Sequence, residues 1–550
     1  MAQKWWTLVA VCTGVFMLLL DITIVNVALP DIQTELTASL SDLQWVIDAY
    51  ALSLAALLLT AGSLADLFGR KRVFIIGVVL FTVGSVACGS AQSILFLTIA
   101  RAFQGIGGAA MFATALALLA TAFTGKDRGT AFGLFGATTG VAVAIGPVLG
   151  GVLTSGLSWR WIFFVNIPIC VVALAVSFLK VQESHDPRAG RPDWFGFVSF
   201  SLALGALVYG LIEAGQESWG EQKVVASLIA SGLLLVVFVV SQLVQEHPMF
   251  DLSLLRKPTF TGGLIAAFGV SASIFSLLTF LVIYVQNVLD YSAVATGVRF
   301  LFLSGASFFA AAIAGRLTEK VPVKWLIGPG FLILGVGLVL LLGIRTDSSW
   351  THLIPGLTVA GVGIGLINPP LASTAVGVVT VDRSGMASGV NSTLRQVGIA
   401  TGIAALGSIF SQQVADAVRP GLAGKVPPAA LDGLTAALSG GQVNAAAAGA
   451  QKAASANGGS AAGQQAFDLV NRVGTSAVVD ALNHIALIAA VIAFAAGVLS
   501  LLLIRQKDFV VRGGPPPSSE EPRHAAEQIS DQPSEAVSPV GAAPGRHIRT

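Results

Sequence analysis

Charge is what this chain has least of. Asp, Glu, Lys and Arg make up 11% of its 550 residues, against about 25% in a soluble globular protein. A soluble domain of this length lacks the polar surface it would need, and a disordered chain is excluded by the same shortage. Cysteine is also scarce. Cys12, Cys88 and Cys170 all fall inside apolar runs, which excludes a disulfide framework and leaves them as small buried hydrophobes. The six histidines lie outside the apolar cores, and none is spaced with Cys or carboxylates as a metal site requires. A net charge of +2 gives no electrostatic basis for binding nucleic acid.

What remains is apolar. Hydrophobic residues reach 54%, with 61 glycines among the rest, and the mean hydropathy is +0.80. The composition is that of an integral membrane protein with many spans. Lys4 precedes a long apolar run that continues to Leu29 without a small-residue cleavage site, so the run reads as a retained first span.

A helix crosses a bilayer with about 20 apolar residues. Fourteen runs meet that length, near 7–29, 43–64, 73–92, 94–120, 129–154, 161–180, 194–213, 224–244, 259–284, 294–315, 325–343, 351–379, 386–410 and 480–504. The runs lack the alternating polarity of a membrane β-barrel. Basic residues favour the cytoplasmic side. Arg70-Lys71-Arg72, Arg256, Lys257, Arg316, Lys324 and Arg383 all fall on one side of this count, with Lys4 and the C-terminal tail. The expectation is therefore a multi-pass protein of the cytoplasmic membrane with both termini inside. Residues 413–478, rich in Ala, Gly, Gln and Asn, lie outside and fit either short helices or a flexible loop.

The chain also repeats itself. Gly62-Ser-Leu64-Ala-Asp66 to Arg72 has a counterpart in Gly315-Arg-Leu317-Thr-Glu319 to Lys324, and Asp127-Arg128 recurs as Asp382-Arg383 at nearly the same offset. Two six-helix halves follow, with two helices between them. The division is 1–180 for the first half, 181–250 for the inserted pair, 251–505 for the second half with its insertion 413–478, and 506–550 for a disordered cytoplasmic tail.

Ionisable groups inside spans cost about 2.5–3.5 kcal/mol on insertion scales and usually serve a function. Asp21 in span one and Arg101 in span four lie at depths of about 12 and 10 Å from the same side, so the two can face each other. Asp48 in span two lies at a similar level, giving two acids near one base. One carboxyl is then free to titrate, as a proton-coupled carrier requires; a structural ion pair is the competing reading. Arg101, Gln104, Gly105 and Gly108 share one helix face. Arg395 in span thirteen, with Asn391 one turn away, is a second intramembrane base, and Glu213 stands near the outer end of span seven. Span five carries Gly136, Gly140, Gly146, Pro147, Gly150 and Gly151, a small-residue stripe with a helix-kinking proline that suits a moving helix as well as a closely packed one.

Other chemistry is poorly supported. Gly105 to Ala110 and Gly361 to Gly365 resemble fragments of a dinucleotide fingerprint, yet neither follows a strand. The chain has no Walker A lysine motif and no nucleophile–base constellation, so an enzyme or an ATP-driven pump is a poor reading.

The motifs together resemble the major facilitator superfamily, and within it the fourteen-span drug:proton antiporter group of EmrB/QacA-like multidrug exporters. Leu20-Asp21-Ile-Thr23-Ile-Val25-Asn26-Val-Ala28-Leu29-Pro30 is similar to that group's first-span motif. Gly62 to Arg72 resembles the superfamily's signature loop, and Arg101-Ala-Phe-Gln104-Gly105-Ile-Gly107 its span-four motif. Gly136 to Gly140 followed by Gly146-Pro147-Val-Leu-Gly150-Gly151 resembles the antiporter motif, and Trp159 to Pro168 is also typical. The resemblance covers about residues 5–505.

It implies an all-α fold of two pseudo-symmetric bundles. Asp21 becomes a proton site with Arg101 as partner, and Gly62, Asp66, Gly69, Arg70, Lys71 and Arg72 a cytoplasmic latch. The span-five glycines with Pro147 become the antiporter hinge. Asp48 departs from the group, which commonly has an uncharged residue there, and suggests a second proton or a role in cation selectivity. The second-half latch has Glu319 but lacks the basic cluster.

The implied activity is proton-coupled export of lipophilic drugs or antibiotics, cationic ones among the candidates, by a monomer in the bilayer. It needs no cofactor or metal beyond the proton gradient. Asn26, Gln104, Asn391, Arg395 and Glu213 are candidates for the substrate cavity. A dedicated exporter of one endogenous metabolite or antibiotic is the alternative, with a transporter-like receptor behind it.

Overall fold

The computed structural model describes residues 3–123, 126–184, 192–246, 248, 250–318, 321–379 and 384–509, and among these there is no strand. Lipid offers backbone groups no partners, so apolar runs of this length close their hydrogen bonds within helices. The first half comprises α1 (Gln3–Glu35), α2 (Leu40–Phe68), α3 (Arg70–Gly89), α4 (Ile94–Ala122), α5 (Lys126–Gly156), the short α6 (Trp161–Phe164) and α7 (Asn166–Lys180). Two further helices follow, α8 (Trp194–Gln216) and α9 (Gln222–Val244). The second half comprises α10 (Pro258–Val270), α11 (Ser276–Ile283), α12 (Ala293–Leu317), α13 (Lys324–Leu340), α14 (Leu353–Gly377), α15 (Ser384–Leu422), α16 (Pro428–Ser439) and α17 (Val443–Leu503). A one-turn π segment, Ser271–Phe275, joins α10 and α11 into a single rod, and a second, Tyr284–Val288, extends its end. Among the described residues, twelve helices are long and apolar enough to cross a membrane, and shorter apolar stretches lie at Ile145–Gly156 in α5 and in α13.

The packing repeats as the sequence does. α2 and α3 both lie on α4, as α12 and α13 lie on α14; α7 packs on α1 and α3, as α17 does on α10 and α13. The two halves meet chiefly where α5 runs along α12 and, by the same symmetry, α15 along α2. The repeat extends to helix starts. Ser39 caps α2 by accepting from the Asp42 amide at 3.2 Å, and Ser292 caps α12 by accepting from the Ala295 amide at 3.3 Å. Each satisfies an amide that the first helical turn leaves open. α8 packs against α9, α2 and α15, whereas α9 turns most of its surface, including Leu233, Val236 and Val240, outward toward lipid.

The end of the bundle holding the N-terminus is called proximal here and the opposite end distal. At the distal end, the stretch 413–478 is helical: α15 continues to Leu422, α16 follows, and α17 begins at Val443 with a break at Gly459 (φ +79°). Leu438, Val443, Ala447 and Val470 bury there against the second half. Alanine-rich sequence with a few apolar anchors suffices, because alanine is the best helix former. At the other end of α17, the short turn Gln506–Asp508 packs back on α10, where the Thr259 hydroxyl donates to Asp508 Oδ2 at 2.7 Å. Those first residues of the expected tail therefore belong to the second half, and 510–550 lie outside the described residues.

The loop between α2 and α3 is built round a residue that the motif does not contain. Glu183, just past α7, accepts from the Lys71 amide at 2.9 Å and the Arg72 amide at 3.2 Å, placing a carboxylate on the positive end of the α3 dipole. The turn requires Gly69 at φ +107°, and a Cβ there would meet Glu183 Cδ at 2.5 Å. Gly62, in the same motif, faces open space. Gly69→Ala is therefore expected to cost about 1–3 kcal/mol through backbone strain and a displaced Glu183, read as a lowered melting temperature in detergent. Gly62→Ala should melt no lower than the parent, since alanine in a helix interior gains about 0.5–1 kcal/mol over glycine.

Candidate proton and substrate site

Five helices converge on one carboxylate. α1 supplies Asp21, which is fully buried, and α4 supplies Arg101, which is 1% exposed. Arg101 Nη1 donates to Asp21 Oδ2 at 2.6 Å. Gln104, one turn further along α4, donates to Asp21 Oδ1 at 3.0 Å, and Asn166 at the start of α7 donates to the same oxygen at 2.9 Å. Both amides also donate to the hydroxyl of Ser85 on α3, at 2.8 and 3.3 Å. Arg101 further donates to Gln104 Oε1 at 2.6 Å and to the Val46 carbonyl at 3.3 Å, and its guanidinium lies 4.2 Å from the centre of the Tyr50 ring on α2.

Isolated, either charge would be prohibitive in lipid. Paired and surrounded by donors they are tolerated, because a buried ion pair holds only when its remaining hydrogen-bonding capacity is filled. Glycines let the helices come close enough. Gly84 leaves room for Gln104, and the backbone of Phe81 fits against Gly107.

Asp48 is placed differently from expectation. It is fully buried, but neither carboxylate oxygen has a hydrogen-bond partner. The stripe Gln44, Asp48, Ala51 and Ala55 turns toward α15 and α8: Gln44 donates to the Ile403 carbonyl at 3.0 Å, and the Thr393 hydroxyl donates to the Ala55 carbonyl at 3.4 Å. Ala51 packs with Val208, Ile212, Ala400 and Ala404. Arg101 meets the other side of α2, through Val46 and Tyr50. The two acids therefore do not share one base; helix rotation separates them where depth alone suggested proximity.

A small pocket lies against the network, between the halves, lined by Ile22, Val25, Ile47, Tyr50, Ala51, Arg101, Gln396 and Ile399. Contacts across the halves close the distal side. Thr279 reaches Asn26 at 3.5 Å, Gln286 donates to the Val27 carbonyl at 2.8 Å, and buried Gln33 donates to the Gly440 carbonyl at 3.2 Å. Of the other cavity candidates, Gln104 belongs to the Asp21 network, and Asn391 and Arg395 follow one another along α15. Glu213 stands apart, paired with Lys223 at 2.7 Å where α8 turns into α9.

The hinge motif is a contact between halves. Gly146 and Gly150 of α5 seat Thr23 and Ile24 of α1, while Gly151 and Pro147 meet α12 at Ala293 and Gly297. The packing of Gly136 and Gly140, the Asp66 side chain and residue 319 lie outside the described residues. Ser85, Asn166, Tyr50 and Glu183 were not singled out for a role by sequence reading. The available signal for Ser85 and Asn166 was a hydrogen-bonding side chain inside an apolar run.

Comparison with known proteins agrees with this architecture. The family profile described as Major Facilitator Superfamily matches residues 11–403. Multidrug resistance protein Stp of Mycobacterium tuberculosis is 37% identical over 76% of this chain and 78% of its own length. Puromycin resistance protein Pur8 of Streptomyces alboniger is 36% identical over 74% and 82%. The tetracenomycin C resistance and export protein of Streptomyces glaucescens is 32% identical over 75% and 77%. Among solved structures, a bacterial homologue of the human lysosomal transporter Spinster, crystallised inward-facing and unoccupied, superposes with a TM-score of 0.57 over 93% of this chain and 99% of that one, at 19% identity.

Gln104 and Asn166 share both an acceptor on Asp21 and the Ser85 hydroxyl, so their contributions should not add. A double-mutant cycle on Gln104→Ala and Asn166→Ala, read by thermal unfolding in detergent, is expected to give a coupling of about 0.5–3 kcal/mol. Simple additivity would mean that the two amides do not act through one network.

Proposed function

The chain belongs to the Major Facilitator Superfamily and is a multi-pass membrane protein; from that premise we propose that it is a proton-coupled antiporter exporting lipophilic drugs or antibiotics by alternating access. It spans the cytoplasmic membrane fourteen times as a monomer, with both termini cytoplasmic, and the proton gradient replaces any cofactor. The observation that carries the reading is the buried Asp21 network, set beside a pocket between the halves. Relatives named for drug and antibiotic resistance support the class of cargo. Others carry the name of one compound, as the tetracenomycin C exporter does, and these favour the second reading, a dedicated exporter of a single product.

The network gives a route from proton to movement. A proton on Asp21 removes the negative charge that holds Arg101 and weakens the acceptor on which Gln104 and Asn166 converge. Arg101 is then free to break its tie between α1, α2 and α4. Asp21 is followed almost at once by Thr23 and Ile24, which seat on Gly146 and Gly150 of α5, and α5 in turn bears on α12. Rearrangement at Asp21 thus reaches a contact between the halves, and a state that is favoured only when protonated becomes populated. Asp48 can accept a proton without losing any hydrogen bond, which suits a second coupling site at the α2–α15 contact. Each charge moved down 100 mV supplies about 2.3 kcal/mol, enough for one or two protons to drive a useful export gradient.

Asp21→Asn is expected to abolish pH-driven uptake of lipophilic dyes into inverted vesicles while the protein still reaches the membrane. Uptake at the parental rate in that variant would rule Asp21 out as the coupling site.

A further inference from the structure

We propose that α15 presents an oxygen-binding subsite, Asn391 with Arg395, and that the exported compounds are weak organic acids rather than cations. The inference rests on the reading of the pocket between the halves as the substrate path, and it names the chemistry of that substrate.

Helix geometry fixes the position of the subsite. Gln396 and Ile399 of α15 line the pocket. Asn391, Arg395 and Ile399 follow at intervals of four and share one stripe, so Arg395 stands one turn, about 6 Å, from a pocket-lining residue. The stripe runs from the pocket toward the proximal end.

Its chemistry is one-sided. Arg395 has no carboxylate within ion-pairing distance and no hydrogen bond among the described residues. Asn391 is 6% exposed, and its Nδ2 is buried without an acceptor. Both therefore offer donors that nothing in the protein takes: the Asn391 amide is buried, where an unmatched donor costs about 1–3 kcal/mol, and the Arg395 guanidinium is half-buried beside it. The acids nearby do not supply the missing partner. Asp21 is committed to Arg101, and Asp48 forms no ion pair with Arg395. Arg101 itself lines the pocket with its charge already balanced, which leaves Arg395 as the uncompensated charge on this stripe.

A ligand that fits must bring acceptor oxygens, best as a charged or partly charged pair, since a guanidinium presents its N–H groups as a planar fork. Phenolates, enolates, carboxylates and vicinal carbonyl–hydroxyl groups have that form. A lipophilic cation would instead meet Arg395 as a like charge in an apolar surround.

The test is equilibrium binding to the purified full-length protein, independent of any proton gradient. The probes are alizarin, a hydroxyanthraquinone that is anionic at mildly alkaline pH, its neutral dimethyl ether, and ethidium, a permanent cation. The parent is expected to bind alizarin at least about ten-fold more tightly than either of the others, as one charge-assisted hydrogen-bond pair implies. Arg395→Gln should lower alizarin affinity by about ten-fold or more and leave the dimethyl ether within about two-fold, with Arg395→Lys between parent and Gln.

The ether comparison needs no variant, so misfolding of Arg395→Gln would not remove the test. Equal binding of alizarin and its ether by the parent, preference for ethidium, or an unchanged alizarin affinity in well-folded Arg395→Gln would each overturn the proposal. None of these outcomes depends on whether Asp21 couples protons, so the two readings fail separately.

Discussion

The constraint on which the structure depends is that a charge inside lipid must be answered by protein. Asp21 is answered fully: a guanidinium, two side-chain amides and, behind them, the Ser85 hydroxyl that both amides share. That accounting draws α1, α3, α4 and α7 to one point and sets their rotations. Arg101 then extends the tie to α2 through the Val46 carbonyl and the Tyr50 ring. A network built this way is stiff while the carboxylate is charged. It is also vulnerable at one carboxylate, because most of its donors converge on Asp21.

Small residues determine where that stiffness can be converted into movement. α5 touches α1 through Gly146 and Gly150 and touches α12 through Gly151 and Pro147. The missing side chains let three helices lie nearly backbone to backbone, so a small rotation of α1 is transmitted without a compliant layer of side chains between. The proline removes one backbone hydrogen bond from α5 and lowers the cost of bending there. The pseudo-symmetric contact of α15 with α2 has another character, with side chains reaching carbonyls across the interface at Gln44 and Thr393 and bare Asp48 on the same face. One interface is tuned by shape, the other by hydrogen bonds.

Much of this was legible beforehand, for physical reasons that also mark where reading stops. Asp21 and Arg101 stood out because ionised groups are rare at depth, and their depths alone matched them. Gln104 followed from its spacing along α4. Ser85 and Asn166 did not, because an uncharged polar residue in a span is common, and nothing local says that positions so far apart in sequence will converge. Asp48 shows the same limit: depth was readable, but rotation about the helix axis depends on neighbours that only folding supplies. The repeat in the loops was visible, whereas its echo in the caps, Ser39 and Ser292, needed coordinates. The helices within 413–478 were only one of two readings, because alanine carries helix propensity with little amphipathic signal.

The halves differ in how they treat charge, and the difference bears on the transport cycle. The first half balances its buried base within itself. The second half leaves the buried Asn391 amide without an acceptor, and half-buried Arg395 without a carboxylate among the described residues, along the stripe that leads from the pocket. A carrier whose two halves were both satisfied internally would have no electrostatic reason to hold cargo. One whose halves were both open would collapse its charges onto each other when the halves closed. On the proposed reading, with Asp21 as the proton-responsive group on one side and the unmatched donors on the other, the proton and the cargo would act on different helices yet meet at one pocket. Competition for a single site is then not required for exchange. It is enough that each ligand stabilises a different arrangement of the same interface.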